Sequence, residues 1–212
     1  MRTSELIAAL AADPIPEPIR LGRRVALALA IGFVGSLAIY FLMLGPRPDM
    51  AAASETMRFW MKCLDSVAFA LPTLLLTLRL ARPDAKPRAL ALWLLAPFVL
   101  LAAGVVVELL VVPQGEWLSR LMGATAMHCT ITIPMLAAPV LAALIVALRG
   151  GAPLHPGLTG ALAGSAAAGV GALVYASSCP GDSPLFVATW YPLATLICMG
   201  VGALAGRRFL AW

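Results

Sequence analysis

Polar and charged residues in this sequence are gathered into short segments that separate long apolar stretches. The apolar runs fall at roughly 25–44, 59–80, 89–112, 127–148, 157–178 and 185–206. Each is close to the ~20 residues a helix needs to cross a hydrocarbon core. The pattern therefore predicts an all-α integral membrane protein with six transmembrane helices, and an even number of crossings puts both termini on one side. Pro72, Pro97, Pro134, Pro139 and Pro192 fall inside these runs, where neighbouring helices in a bundle re-satisfy the carbonyls they free. Gly160 and Gly164 in the fifth run, with Gly202 and Gly206 in the sixth, have the small-xxx-small spacing that lets two helix backbones approach. Packing between neighbouring spans is the expected use, ahead of a dimer face. Between the third and fourth runs, Gln114 to Ala126 is too polar to span. It places Trp117, Leu118, Leu121, Met122 and Thr125 near one helical face, the pattern of a short helix lying in the interface.

Composition narrows the class. Of 212 residues, 61% are hydrophobic and 12% charged, about half the charged share of a soluble domain, and the chain is too apolar for disorder. Six spans with short loops use roughly 130 residues, which leaves no room for a second folded domain. Two parts are expected: residues 1–24 as a cytoplasmic segment and residues 25–212 as a six-helix transmembrane domain. The first run is too long, and its head too acidic, for a cleaved signal peptide, so it reads as a retained span.

The net charge of +5 informs orientation and not nucleic-acid binding, because the basic residues are segregated. Arg2, Arg20, Arg23, Arg24, Arg79, Arg82, Lys86, Arg88, Arg149, Arg207 and Arg208 fall on one side, and Arg47, Arg58, Lys62 and Arg120 on the other. A split of eleven to four places both termini in the cytoplasm by the positive-inside rule.

On that orientation Cys63, Asp65, Glu108, His128, Cys129, Cys179 and Asp182 lie in the outer third or the outer loops, and Cys198 lies deep. Ionisable residues within spans need partners. Lys62, three residues before Asp65, is the expected one for that carboxylate; pairing at the membrane edge is favoured over a proton relay for Asp65 and Glu108. Cys129 follows His128 at the mouth of the fourth span, and Cys179 opens the loop Cys179-Pro180-Gly181-Asp182-Ser183-Pro184. In an oxidising compartment two such thiols form a disulfide if their Cα atoms come within ~7 Å. Left unpaired, they and His128 are soft ligands or redox-active groups, and they are the only metal candidates. Cys63 and Cys198 read as apolar fillers. No C-x-x-C pair or cofactor motif is present.

In the head, Thr3 or Ser4 caps a short helix with Leu6, Ile7 and Leu10 on one stripe, and Asp13-Pro14-Ile15-Pro16-Glu17-Pro18 stops it in an extended polyproline form. A helix this short needs a docking surface. Its acidic surroundings favour a protein groove over anionic lipid.

These features together resemble the NrsF-type bacterial anti-sigma factors. The resemblance rests on the head S-E-L-I-A-A-L-A-A-D-P-I-P, the histidine-cysteine pair, and above all C-P-G-D-S-P-L-F followed by W-Y at Cys179 to Tyr191. It covers essentially the whole chain. It implies a multi-pass protein of the bacterial inner membrane that holds an extracytoplasmic-function sigma factor inactive and releases it under stress. Membrane lipids would be its other contact, with no direct nucleic-acid binding. Cys129 and Cys179 then match the family's paired outward cysteines as stress-sensing residues, with His128, Asp182, Asp65 and Glu108 as auxiliary outer residues. Leu6, Ile7, Leu10, Asp13, Pro14 and Pro16 match the segment facing the sigma factor. The implied signal is an oxidant or soft metal.

Two rival classes are weaker. A quinone-linked thiol enzyme needs a vicinal or C-x-x-C pair and a second shuttle pair. A small transporter needs midplane charges and repeat symmetry. A regulator without catalytic residues is the expectation. Deleting residues 1–18 should free the sigma factor while the remaining bundle stays in the membrane; continued co-purification of the two would exclude the head as the docking segment.

Overall fold

The computed structural model describes residues 3, 5, 21–82, 91–123 and 125–211, and every regular element among them is helical. In chain order these are α1 (Leu21–Met43), α2 (Met50–Ser54), α3 (Met57–Leu80), α4 (Leu95–Val111, entered through a 3₁₀ turn at Leu92–Leu94), α5 (Trp117–Met122), α6 (Ala126–Leu148), α7 (Pro156–Ala176) and α8 (Pro184–Phe209). Six are long and apolar enough to cross a membrane: α1, α3, α4 with its turn, α6, α7 and α8. They match the six apolar runs. The helix ends differ by a few residues because an apolar run reports hydrocarbon thickness, whereas a helix continues into its polar flank. Thus α1 starts at Leu21 and carries Arg23 and Arg24 on its first turn. The sigma-facing candidates Leu6, Ile7, Leu10, Asp13, Pro14 and Pro16 lie outside the described residues.

The helix α7 is the centre of the bundle, packing against α3, α6 and α8, while α1 packs on α6 and α4 stands at the periphery against α3 and α8. Its sequence explains the position. It is built from Ala, Gly and Ser with few large side chains, so three neighbours can approach its backbone at once. A Cβ at Gly160 would lie 2.1 Å from Gly202 O, and one at Gly164 2.2 Å from Cys198 O. The expected small-residue seam is therefore the α7–α8 interface. On the other flank Ser36 Oγ donates to Leu136 O at 2.6 Å, and Gly32 leaves no room for a Cβ beside Val140 Cα, which draws α1 onto α6.

Pro72, Pro134, Pro139 and Pro192 lie within helices. Pro97 does not break one: it occupies the first turn of α4, where a missing N–H costs least. The polar stretch before α6 folds as the six-residue α5, with Leu118 and Met122 exposed, and α6 begins at Ala126. Between them Gly123 takes a positive φ of 54° directly beneath the Phe186 ring, a backbone conformation open mainly to glycine.

Two buried clusters fill the bundle. One, near the chain termini, includes Leu21, Val25, Leu148 and Leu210. The other, at the distal end, gathers Tyr40, Cys129, Tyr175, Cys179, Phe186 and Tyr191. Gly160→Val should lower stability by about 1–3 kcal/mol or more, as expected of overpacking. Gly200→Ala, in a helix interior with nothing within 4 Å of the new methyl, should raise it by ~0.5–1 kcal/mol. Thermal unfolding of the detergent-solubilised protein measures both.

Candidate functional site

The distal cluster is organised by the connection between α7 and α8, Ser177 to Ser183. Its serine side chains tie it to α1, to the turn after α1 and to α4. Ser177 Oγ donates to Tyr40 Oη of α1 at 2.9 Å, and Ser178 Oγ donates to Gly45 O. Ser183 stands at the N-cap of α8, yet its hydroxyl makes no cap bond; it donates instead to Glu108 Oε2 of α4 at 2.9 Å. Pro184 supplies the first residue of α8, where a fixed φ suits the helix start. Phe186 is buried against Gly123 and Gly181, and Trp190 Nε1 donates to Leu121 O of α5 at 2.9 Å.

Two buried cations clamp this connection. Lys62 of α3, 2% exposed, spends all three of its ammonium hydrogens: on Asp182 Oδ1 at 2.5 Å, Cys179 O at 3.0 Å and Gly181 O at 3.4 Å. Arg47, between α1 and α2, forks onto both oxygens of Asp49 at 2.7 Å. It also donates to Asp182 Oδ2 at 2.6 Å and Cys179 O at 3.1 Å. One carboxylate and one carbonyl are thus shared by both cations. Asp49 raises the Arg47 guanidinium above its ordinary pKa, and Arg47 in turn lowers that of the Asp49 carboxyl. Desolvated charges persist only with such a complete partner set.

The thiols lie directly beneath the clamp. Cys129 of α6 and Cys179 are 0% and 1% exposed, with their sulfurs 3.9 Å apart. Both are free thiols. Cys129 donates to Tyr175 Oη at 3.5 Å, and Thr125 Oγ1 stands 3.8 Å from Cys179 Sγ. The Cys179 thiol is drawn below its ordinary pKa, first by the hydrogen bond with Cys129 and then by the Lys62 ammonium, the Gly181 N–H and Thr125, against the opposing effect of burial. Cys179 is therefore the readier thiolate of the two, and the thiolate is the nucleophilic form.

The sequence placed Cys129, Cys179, Asp182 and Glu108 at one end of the bundle, and they meet there. Glu108 is buried between Arg120 at 3.3 Å, Arg58 at 3.8 Å and Ser183. One expected pair is corrected: Lys62 does not serve Asp65. A buried ammonium needs several acceptors, and the α7–α8 connection offers three where Asp65 would offer one. Asp65 Oδ1 is left buried with no partner among the described residues. His128 also stands apart. It is exposed, while Cys129 beside it faces inward, and it lines an open cleft of about 240 Å³ with Arg47, Thr125 and Tyr175. Among the described residues no three His, Cys, Asp or Glu side chains are grouped to hold a metal ion. Sequence reasoning missed Arg47, Lys62 and Tyr175 as parts of the site. The signal was present for the two cations: Arg47 and Lys62 belong to the basic minority on the side that the positive-inside rule disfavours.

With this geometry in view, the comparisons with known proteins agree with one another. The profile of the NrsF family, described as negative regulator of sigma F, matches residues 10–212. Two relatives align over the full length of both chains at 34% identity: a protein of Azospira oryzae named "Probable anti-sigma-F factor NrsF" and one of Caulobacter vibrioides named "Anti-sigma-F factor NrsF". No solved structure matches the chain.

Asp182→Ala leaves Lys62 buried without its counter-charge and should destabilise the bundle by about 3–5 kcal/mol, read by thermal unfolding in detergent. Lys62→Met removes a group that lowers the Cys179 pKa. Disulfide formation with a mild peroxide should slow as pH falls through the Cys179 pKa, and in Lys62→Met that decline should begin at a higher pH. A thiol-counting assay across pH distinguishes the two profiles.

Proposed function

The chain belongs to the NrsF family of negative regulators of sigma F, and on that premise we propose that it is a membrane-embedded anti-sigma factor switched by oxidation of Cys129 and Cys179. It crosses the bacterial inner membrane six times with both termini in the cytoplasm. Its first 24 residues hold a sigma factor of the extracytoplasmic-function type. The distal end, with the thiols, faces outward.

The observation that carries this reading is the buried pair of free sulfurs 3.9 Å apart beneath a loop clamped from two other elements. The chemistry balances with a peroxide. The Cys179 thiolate attacks one peroxide oxygen, the O–O bond breaks and water or an alcohol leaves, giving a sulfenic acid. The Cys129 sulfur then attacks that sulfur; water leaves as the S–S bond forms. The two thiols lose two electrons and the peroxide gains them. The cleft lined by Thr125 and Tyr175, both in contact with the sulfurs, gives a small uncharged oxidant an approach to them. Metal capture is less well supported, since only two soft ligands converge.

Bond formation draws the sulfurs from 3.9 Å to about 2.05 Å. Because Cys179 O is held by both Lys62 and Arg47, this displacement loads α3 and the α1–α2 connection. Movement of Cys129 loads α6 and, through Ser36 and Gly32, α1. The sigma-holding head leads directly into α1. A change of bundle state of this kind alters affinity by typically 1–3 kcal/mol, about 5- to 150-fold.

The sigma factor should co-purify with reduced wild-type protein and leave on peroxide treatment. With Ser at both cysteines it should stay bound under both conditions, and normal release from that double variant would sink the thiol switch.

A further inference from the structure

The structure assigns Tyr175 a role in the second half of the thiol reaction: its hydroxyl passes the Cys129 hydrogen to the oxygen that leaves Cys179. That role presupposes the peroxide chemistry proposed for the pair. Closing a disulfide from a sulfenic acid is a condensation. A lone pair of the Cys129 sulfur forms the S–S bond, the S–O bond of Cys179 breaks with its electrons going to oxygen, and the Cys129 hydrogen ends in the departing water. Cys129 is 0% exposed, so bulk water does not collect that hydrogen. A protein group has to carry it.

The geometry around the sulfur leaves one carrier. Cys129 Sγ donates to Tyr175 Oη at 3.5 Å. Among the described residues the only other side-chain atom in hydrogen-bond range of that sulfur is Cys179 Sγ, at 3.9 Å. Because the tyrosine accepts from Cys129, it keeps its own hydroxyl hydrogen to give. The end of α7 supplies the second partner. There Cys179 N–H donates to Tyr175 O at 3.0 Å, the (i, i+4) relation that makes two side chains neighbours on one face. The Tyr175 hydroxyl accordingly interacts with Cys179 as well as with Cys129. The Thr125 hydroxyl reaches only the Cys179 sulfur, at 3.8 Å, and is not placed to take the Cys129 hydrogen.

Direct transfer from Cys129 to the leaving oxygen runs through a four-membered arrangement of two sulfurs, oxygen and hydrogen, in which no hydrogen bond is near linear. Routing it through Tyr175 opens that arrangement to six members. Tyr175 takes one proton and gives another, so it ends unchanged. It also lines the cleft by which the water leaves. Speed matters here because a sulfenic acid that waits meets a second peroxide, which adds another oxygen, releases water or an alcohol, and leaves an irreversible sulfinic acid. Tyr175 thereby keeps the pair on the reversible course.

The full chain in lipid nanodiscs tests this with excess hydrogen peroxide. Samples are quenched at intervals into SDS containing dimedone, which traps sulfenic acid, and mass spectrometry follows thiol, sulfenic acid, sulfinic acid and disulfide. Tyr175→Phe keeps the ring and removes only the hydroxyl. It should lose the Cys179 thiol at close to the wild-type rate yet form the disulfide about 100-fold more slowly, within the range a positioned acid-base group contributes. Trapped sulfenic acid, and then sulfinic acid, should accumulate at Cys179. Tyr191→Phe removes a hydroxyl of the same cluster that has no hydrogen-bond partner among the described residues, and it should close as wild type does. Equally fast closure in Tyr175→Phe and wild type would overturn the role of Tyr175 alone, as would slowing of both steps together, the mark of a loosened cluster. A wild-type protein that forms no disulfide would overturn the thiol switch and this role with it.

Discussion

Two cations withdrawn from water and made to share one carboxylate and one carbonyl hold the distal end of this protein together. Neither Lys62 nor Arg47 is tolerable inside the bundle alone, since an unpaired buried charge costs several kcal/mol. The acceptors they share come from one short connection, Cys179 to Asp182. Satisfying them therefore fixes that connection in one conformation, and with it the Cys179 sulfur. Ser177, Ser178 and Ser183 bind the same connection to α1, the following turn and α4. The thiol pair is placed by electrostatics and by hydrogen bonds, and the apolar cluster around it closes the space that remains.

The same constraint explains the charge distribution. The four cations on the distal side, Arg47, Arg58, Lys62 and Arg120, are all ion-paired with carboxylates there: Asp49, Asp182, Glu108 and Glu116. An orientation rule based on counting Lys and Arg treats such residues as noise against the majority. Here they are the residues with structural work to do, and they share their counter-charges: Asp182 serves both Arg47 and Lys62, and Glu108 serves both Arg58 and Arg120.

The architecture was legible because hydrophobic run length reports span number directly, and the glycine spacing in the last two runs reported their contact. The site was legible only in part. Cys129, Cys179 and Asp182 were found because thiols and acids are rare at the ends of spans. The partner of Lys62 was missed because local helical spacing nominated Asp65, whereas the true acceptors lie 117 to 120 residues away in sequence. Periodicity cannot report such a separation. Nor could it report that Cys129 and His128, adjacent in sequence, would face in opposite directions: that depends on which side of α6 meets α7.

The contact between α7 and α8 runs backbone to backbone at Gly160, Gly164, Gly202 and Gly206. At those positions no side chain separates the two helices, which form a closely joined hairpin with Cys179 in the connection at its tip. Cys129 belongs to another piece, the closely joined α1 and α6. The two sulfurs therefore sit across the contact between α6 and the α7–α8 hairpin, itself close enough that a Cβ at Gly171 would lie 2.8 Å from Ile133 O, and a bond formed there pulls directly on both helix pairs.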